Sequence, residues 1–106
     1  MEFEKSTVFN LVNSIDFANN ATVSKMVLKK DTGNITLFSF DKGQGLSEHS
    51  APFDAYVLVT EGRGTIIINR HPYELVAGEF IVMPANIPHA VQALEKFKMM
   101  LVMIKG

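Results

Sequence analysis

Two stretches of this chain decide its fold. Residues 43–62 read GQGLSEHSAPFDAYVLVTEG, and residues 78–93 read GEFIVMPANIPHAVQA. Each contains a short run rich in β-branched and aromatic residues, AYVLVT in the first and FIVM in the second, bounded by glycine or proline. Glycine tolerates the positive φ angles of tight turns, and proline has no amide donor for a sheet. The two stretches therefore predict short strands joined by turns, and each also carries one histidine, His49 or His89.

The same rhythm continues through the rest of the chain. Strands are predicted at residues 22–29, 35–40, 55–60, 65–69, 73–76, 80–83, 90–94 and 97–104. Turn clusters such as DTGN, DKGQG and EGRG break the runs at intervals of roughly 8–12 residues. The EGRG cluster is expected to end the strand at 55–60. Connections this short favour an all-β sandwich or barrel over βαβ units, which need helical crossovers.

The segment before the first strand is the only helix-like stretch. Four apolar residues of residues 6–19 follow a spacing of i, i+3, i+4 and i+7, namely Val8, Leu11, Val12 and Ile15. The run is short and has no strong stop signal, so a helical turn and an irregular lead-in both stay open. We expect residues 1–20 to form a lead-in packed on a barrel domain of residues 21–106.

The last predicted strand is apolar on both faces. One face carries Phe97, Met99, Leu101 and Met103, and the other carries Lys98, Met100, Val102 and Ile104. A strand of this kind is covered on both sides. The N-terminal segment and a second subunit are the two candidates for the outer cover.

Composition excludes several classes of function. The 106 residues carry a net charge of −1 and no cysteine, which excludes disulfides, thiol nucleophiles and thiolate metal sites. The near-zero net charge gives no excess of basic residues of the kind that binds nucleic acid or an anionic membrane. The chain has no apolar run long enough to span a bilayer and no signal peptide, so we expect one cytoplasmic domain with no membrane partner.

The two opening stretches together resemble the motifs of the cupin family. The family pattern G-x5-H-x-H-x3/4-E-x6-G and its second pattern G-x5-P-x-G-x2-H-x3-N are matched here by Gly43, His49 and Gly62, and by Gly78, Pro84 and His89. The resemblance implies a single jelly-roll barrel, also called a double-stranded β-helix, with a site in the barrel interior. It also implies a homodimer.

The chain departs from those motifs at the positions that carry chemistry. Ala51 and Ala55 occupy the positions of the second histidine and the glutamate, and Asn86 and Ala93 replace a glycine and an asparagine. Family members that hold a metal resemble three-histidine, one-carboxylate sites. Of those four ligands this sequence keeps only the two histidines.

The histidines His49 and His89 are the candidate catalytic and metal-binding residues. Two neutral imidazoles could hold a divalent Fe, Mn, Ni or Zn ion with water or substrate, although protein sites usually supply three ligands or more. Strand alternation should point the nearby oxygen donors away, and the neutral amides are weak ligands; these residues are Glu48, Asp54, Tyr56, Gln44 and Gln92. The missing ligands favour two polar residues in an apolar pocket over a tightly held metal. His71, in a turn, is interpreted as a solvated residue.

The expected ligand pocket combines the histidines with smaller and apolar side chains. Its remaining members are Ala51, Ala55, Met83 and Phe38. Three functions fit: small-molecule binding without catalysis, a metal-dependent dioxygenase or isomerase, and a metal-free acid–base epimerase or isomerase. No carboxylate stands beside either histidine to orient it, which weakens the third hypothesis. The missing metal ligands and the missing carboxylate weaken the other two hypotheses, so small-molecule binding is the favoured interpretation.

Overall fold

The turn clusters of the sequence separate eight antiparallel strands in the computed structural model, which describes residues 3–105. The strands are β1 (Thr22–Lys30), β2 (Gly33–Phe40), β3 (Gly45–His49), β4 (Asp54–Ile68), β5 (His71–Val76), β6 (Phe80–Met83), β7 (His89–Gln92) and β8 (Phe97–Ile104). The lead-in contains one 3₁₀ turn, Val12–Ser14. The predicted all-β jelly-roll barrel is confirmed. Across the described part of the chain, no helix has the length and hydropathy needed to cross a bilayer.

The strands form two sheets that share β4. The first sheet has the order β1-β2-β8-β4-β6 and uses the first part of β4, residues 54–62. The second sheet has the order β3-β7-β4-β5 and uses residues 63–68 of β4. A strand that passes from one sheet to the other closes the barrel on one side and brings both sheets around one core.

The EGRG cluster was expected to end a strand, and this prediction is wrong. β4 runs through it as one strand, with a pairing irregularity between Val59 and Glu61. Gly62 has φ +79°, and a Cβ there would collide with the backbone oxygen of Lys96. The glycine therefore bends the chain from one sheet into the other instead of terminating it.

Strand β3 was not predicted as a strand. Its sequence GLSEH has only one apolar side chain and lies mostly exposed, so it lacks the pattern of a half-buried strand. The strand forms because its backbone pairs with the edge of β7. In this register Gly45 is opposite Gln92, and His49 is opposite His89.

The inward face of the barrel carries the hydrophobic core. Residues opposite each other in antiparallel strands point to the same side, and the register brings Val57 of β4 opposite Leu101 of β8, both buried. The aromatic part of the core is a stack in which the Phe40 and Phe97 ring centroids lie 4.9 Å apart. The face of β8 that starts at Phe97 is therefore the inner one, as the alternation predicted.

The lead-in covers part of the outer face of the first sheet. Only Ile15 of its four periodic apolar residues is buried, and the helical alternative is realised only as the short 3₁₀ turn. Three side chains of the sheet donate hydrogen bonds to lead-in carbonyls: Lys98 Nζ to Val12 O at 2.8 Å, Lys25 Nζ to Ser14 O at 3.0 Å and Ser39 Oγ to Asp16 O at 2.8 Å. From Phe3 onward the segment is thus anchored by side chains and forms no strand with the sheet.

Candidate functional site

The fold brings His49 and His89 together from neighbouring strands. His49 ends β3, His89 begins β7, and the two are partners in the register of these strands. His89 is also the partner of Ile68 on β4, and it shares its face with Val91, a core residue two positions along β7. The register therefore places both imidazoles on the inner face. His49 is exposed and His89 is 8% exposed, so the pair lies where the barrel interior meets solvent.

The two imidazoles face each other through their Nε2 atoms. These atoms are 3.2 Å apart, and the rings meet edge to face with centroids 4.4 Å apart. The Nδ1 atoms point back to the protein, that of His49 to Ser47 O at 2.8 Å and that of His89 to Ile87 O at 3.1 Å. In each strand the imidazole contacts the carbonyl two residues earlier.

These contacts favour one tautomer. A carbonyl oxygen only accepts hydrogen bonds, so the two Nδ1 contacts are hydrogen bonds in the tautomer that carries its proton on Nδ1. In the neutral rings both Nε2 atoms then present lone pairs to the same point, 3.2 Å apart. In that tautomer the two facing acceptors are satisfied by a proton, a cation or an N–H or O–H donor between them, and water is one such donor.

The orientation of the imidazoles could not be read from the sequence. A carboxylate partner was the expected orienting group, and its absence weakened the acid–base hypothesis. The structure supplies the carbonyls of Ser47 and Ile87 in its place. Backbone carbonyls leave no residue-type signal, so only the strand geometry could have revealed them.

Burial favours the neutral form of His89. Desolvation lowers the pKa of His89 from its ordinary value of 6.5, and the neighbouring His49 lowers it further, while the hydrogen bond to Ile87 opposes the shift. The unfolded chain then takes up a proton at a higher pH than the folded one does. The stability contributed by neutral His89 is therefore complete above pH 6.5 and is lost as the pH falls from 6.5 through the lower folded pKa.

We expect His89→Gln to remove this part of the pH dependence. The free energy of unfolding should be measured by urea denaturation at several pH values from 8 to 5. The wild type should lose stability below its plateau near pH 6.5, and the variant should lose clearly less. His71→Gln is the matched control because His71 is exposed, and it should follow the wild type. If the free energy of unfolding depended on pH equally in all three proteins, the buried, neutral state of His89 would be contradicted.

The other predicted pocket residues are placed differently from one another. Ala55 and Met83 are register partners on β4 and β6, and both are buried in the core. Phe38 is partly buried against that core and stacks on Phe40 with centroids 5.7 Å apart. Ala51 is half-buried, and its carbonyl accepts the Asn86 amide at 2.7 Å. Ala55 and Met83 therefore belong to the core, and Ala51 holds the loop that contains Asn86.

The carboxylates nearest in sequence are engaged elsewhere. Glu48 lies 3.5 Å from the Arg70 guanidinium, and Asp54 accepts the amide of Ala85 at 2.9 Å. Within residues 3–105 no group of three histidine or carboxylate side chains is arranged to hold a metal ion. The expectation that alternation turns these oxygen donors away from the histidines agrees with their contacts.

Two cavities lie away from the histidines. The larger, about 800 Å³, is between the lead-in and β1 and is lined by residues such as Phe3, Phe9 and Met26. The smaller, about 310 Å³, lies at the β1–β2 turn against the end of β8. His71 is exposed and contacts the ring of Tyr73, outside the pair. The turn position predicted for it is wrong, because His71 pairs with Ile68 and begins β5.

The fold is a double-stranded β-helix barrel, and the histidine pair lies where its interior meets solvent. The sequence profile of the cupin domain matches residues 36–105. The chain therefore belongs to the cupin family. No curated protein sequence matches the chain.

Solved structures agree with this assignment. A conserved protein of unknown function from Streptococcus pyogenes is 38% identical, with 98% of this chain and 91% of that chain covered and a TM-score of 0.92. A cupin 2 conserved barrel domain protein from Leptotrichia buccalis is 41% identical with a TM-score of 0.89, and this chain, 92% covered, spans 47% of its length. Salicylate 1,2-dioxygenase from Pseudoaminobacter salicylatoxidans shares the fold at 17% identity and a TM-score of 0.72, over 78% of this chain and 25% of that chain.

Proposed function

We propose that this cupin binds a small organic molecule at the mouth of its barrel, with His49 and His89 as the polar anchor. The observation that carries the proposal is the 3.2 Å approach of two Nε2 atoms whose Nδ1 partners are both committed to carbonyls. With both protons on Nδ1, the N–H or O–H group of a ligand can donate to the two Nε2 atoms.

The surroundings of the pair indicate the kind of molecule that would fit. Ile68 and Val91, which flank His89 on the inner face, are apolar. A ligand with an N–H or O–H group aimed at the two Nε2 atoms and an apolar body against these side chains would satisfy both parts. Its donor would be shared between two acceptors, and its body would exclude water from them.

A thermal-shift screen of a small-molecule fragment library tests this proposal. Compounds that bind the folded chain raise its melting temperature in proportion to ln(1 + [L]/Kd). We expect hits with wild type that are lost in the His49→Ala, His89→Ala double variant and kept in His71→Ala. Hits that stabilise the double variant equally would place binding elsewhere, and a library without any hit would contradict the proposal.

A divalent ion on the same pair is the second candidate, and a specific distance favours it. Two nitrogens bound at about 2.0–2.1 Å to one metal ion and 3.2 Å apart would subtend an angle of about 100° at the ion, which suits adjacent ligands. Nδ1–H bonds to carbonyls are also the usual outer contacts of metal-binding histidines. The donor set thus fits two coordination positions, and Lewis-acid chemistry is what an ion there would supply.

Metal content separates the two candidates. Untagged protein purified without chelator should be analysed by elemental mass spectrometry beside the double variant. With only two protein ligands we expect metal near background in both, because tight sites usually take three or more. Near-stoichiometric metal in wild type that the double variant lacks would replace the organic-ligand proposal with the metal-dependent one.

A further inference from the structure

We propose that the cavity between the lead-in and β1 is a second ligand site, which binds an organic carboxylate with an aromatic body. This site is separate from the histidine pair, because neither His49 nor His89 lines the cavity. Its volume of about 800 Å³ lies within the range of about 300–1,000 Å³ that small-molecule sites occupy.

The cavity lies at the edge of the first sheet. Ser24, Lys25 and Met26 line it and are consecutive residues of β1, so side chains from both faces of the strand reach it. β1 is the last strand of the sheet and pairs with β2 on its other side. The opposite wall is formed by lead-in residues between Phe3 and Ser14. A molecule in this space therefore contacts the strand and the lead-in together.

A hydrogen-bonded turn keeps the lead-in wall in place. The Asn13 amide donates to Asn10 Oδ1 at 3.0 Å, and the Ser14 hydroxyl donates to the carbonyl of Asn10. Lys25 Nζ ties this turn to β1 by donating to Ser14 O at 3.0 Å, and the next residue, Ile15, is buried. The wall is thus formed before a ligand arrives, which lowers the entropy cost of binding.

The apolar part of the lining favours an aromatic body. The Phe3 and Phe9 rings meet edge to face with centroids 4.8 Å apart, and Met26 adds a thioether side chain from β1. Phe9 is still 48% exposed and Val8 is also exposed, so apolar area of the lead-in wall is in contact with water. An aromatic ring placed there removes this area from water and makes favourable contacts with aromatic rings and sulfur.

Lys25 supplies the charge that selects a carboxylate. An ammonium group has three N–H donors, and Ser14 O takes one of those of Lys25. Within residues 3–105 this ammonium has no further hydrogen bond and no carboxylate within 4 Å. Two donors are therefore left for a ligand anion, on a group that the strand and the turn already hold in position.

Glu4, the other charged residue of the lining, is less suited to hold a ligand. It is exposed, and among the described residues its carboxylate has no ion-pair partner. A ligand ammonium would have to order this side chain, at a cost in conformational entropy that the Lys25 contact avoids. The anion is therefore the favoured ligand, and the Asn13 and Ser24 side chains can donate to its second oxygen.

An amide ¹H–¹⁵N NMR titration of the full chain tests this site. The probe is 4-phenylbutyrate, and 4-phenylbutyramide is its neutral match with the same body. At about pH 7.5, where ordinary histidines are mainly neutral, the acid should shift lead-in and β1 amides saturably, with a Kd of about 0.1–1 mM for a ligand of this size. The neutral compound should shift the same amides with a Kd about three- to fivefold higher, because an exposed ion pair contributes no more than that.

Three variants and a matched control define the site. Lys25→Gln should remove the preference for the acid over the neutral compound, whereas Lys29→Gln, at an exposed lysine of the same strand outside the cavity, should keep it. Ser24→Trp fills the cavity from an exposed position and should abolish the saturable shifts with both compounds. The His49→Ala, His89→Ala double variant should bind both compounds as the wild type does.

The outcomes separate this site from its alternatives. Circular dichroism confirms that Ser24→Trp is folded, and Asn13→Trp replaces it if it is not. A wild type without saturable shifts in the lead-in and β1 would overturn the proposal, whether the lead-in itself or another copy fills the space. Equal affinity for the two compounds, or a preference that Lys25→Gln leaves unchanged, would overturn the carboxylate assignment. Loss of binding in the histidine double variant would place the probe at the histidine pair and overturn the second site.

Discussion

Phe97→Ala is expected to lower the free energy of unfolding by about 3–5 kcal/mol, the usual cost of truncating a buried aromatic residue. Phe97 is fully buried, and its ring stacks on Phe40. It also lies against Gly64, where its ring leaves no room for a Cβ. Phe97 is the register partner of Gly62, where β4 passes from the first sheet to the second. Truncating its ring therefore opens a cavity in the core.

Urea denaturation at one fixed protein concentration measures this effect. Leu94→Ala is the matched control, because Leu94 is an exposed apolar residue three positions away, and its cost should stay within about 0.5 kcal/mol. The slope of the free energy against urea should be unchanged in both variants, which shows that each unfolds from a native-like state. A loss below about 1 kcal/mol for Phe97→Ala would contradict the stacked core.

The second large effect concerns ligand affinity at the histidine pair. For the tightest compound from the fragment screen, His49→Ala and His89→Ala should each raise Kd about 30-fold, corresponding to about 2 kcal/mol. The double variant should raise Kd by much less than about 1,000-fold, which is the product of the two single effects. The reason is that the two Nε2 atoms, 3.2 Å apart, hold one ligand donor, so their contributions are coupled.

Isothermal titration calorimetry on the wild type, both single variants and the double variant gives the four Kd values of a double-mutant cycle. His71→Ala, which changes an exposed histidine, should bind the compound as the wild type does. If the two single losses of binding free energy add up to the loss in the double variant, the two imidazoles contact different parts of the ligand. Unchanged affinity in either single variant would show that the imidazole removed is not an anchor.

The barrel could be predicted from the sequence because its main signals are local. Glycine and proline punctuation and β-branched runs located most strands, and the resemblance of the two motifs to a known family implied the barrel. The break at EGRG was misread because a glycine with positive φ can end a strand or bend it, and the difference depends on β8 lying beside Gly62. β3 was missed because its pairing energy comes from β7 and its own side chains are mostly polar.

The site could be predicted only in part. The choice of His49 and His89 followed from the motifs, and their position in the barrel interior was expected from the fold that the resemblance implies. Their Nε2 separation and the carbonyls that orient them arise from the register between β3 and β7, which residue types do not encode. Ala55 and Met83, which were expected to line the pocket, are buried members of the core.

The tautomers of the histidines test the central claim most directly. Long-range ¹⁵N–¹H spectra of the imidazole rings, assigned with the single alanine variants, report which nitrogen carries the proton. At about pH 8, where ordinary histidines are neutral, we predict protonated Nδ1 and unprotonated Nε2 on both His49 and His89, as the carbonyl contacts require. A proton on Nε2 of either ring at that pH would mean that the two imidazoles hydrogen-bond to each other, and it would contradict a site that waits for a ligand donor.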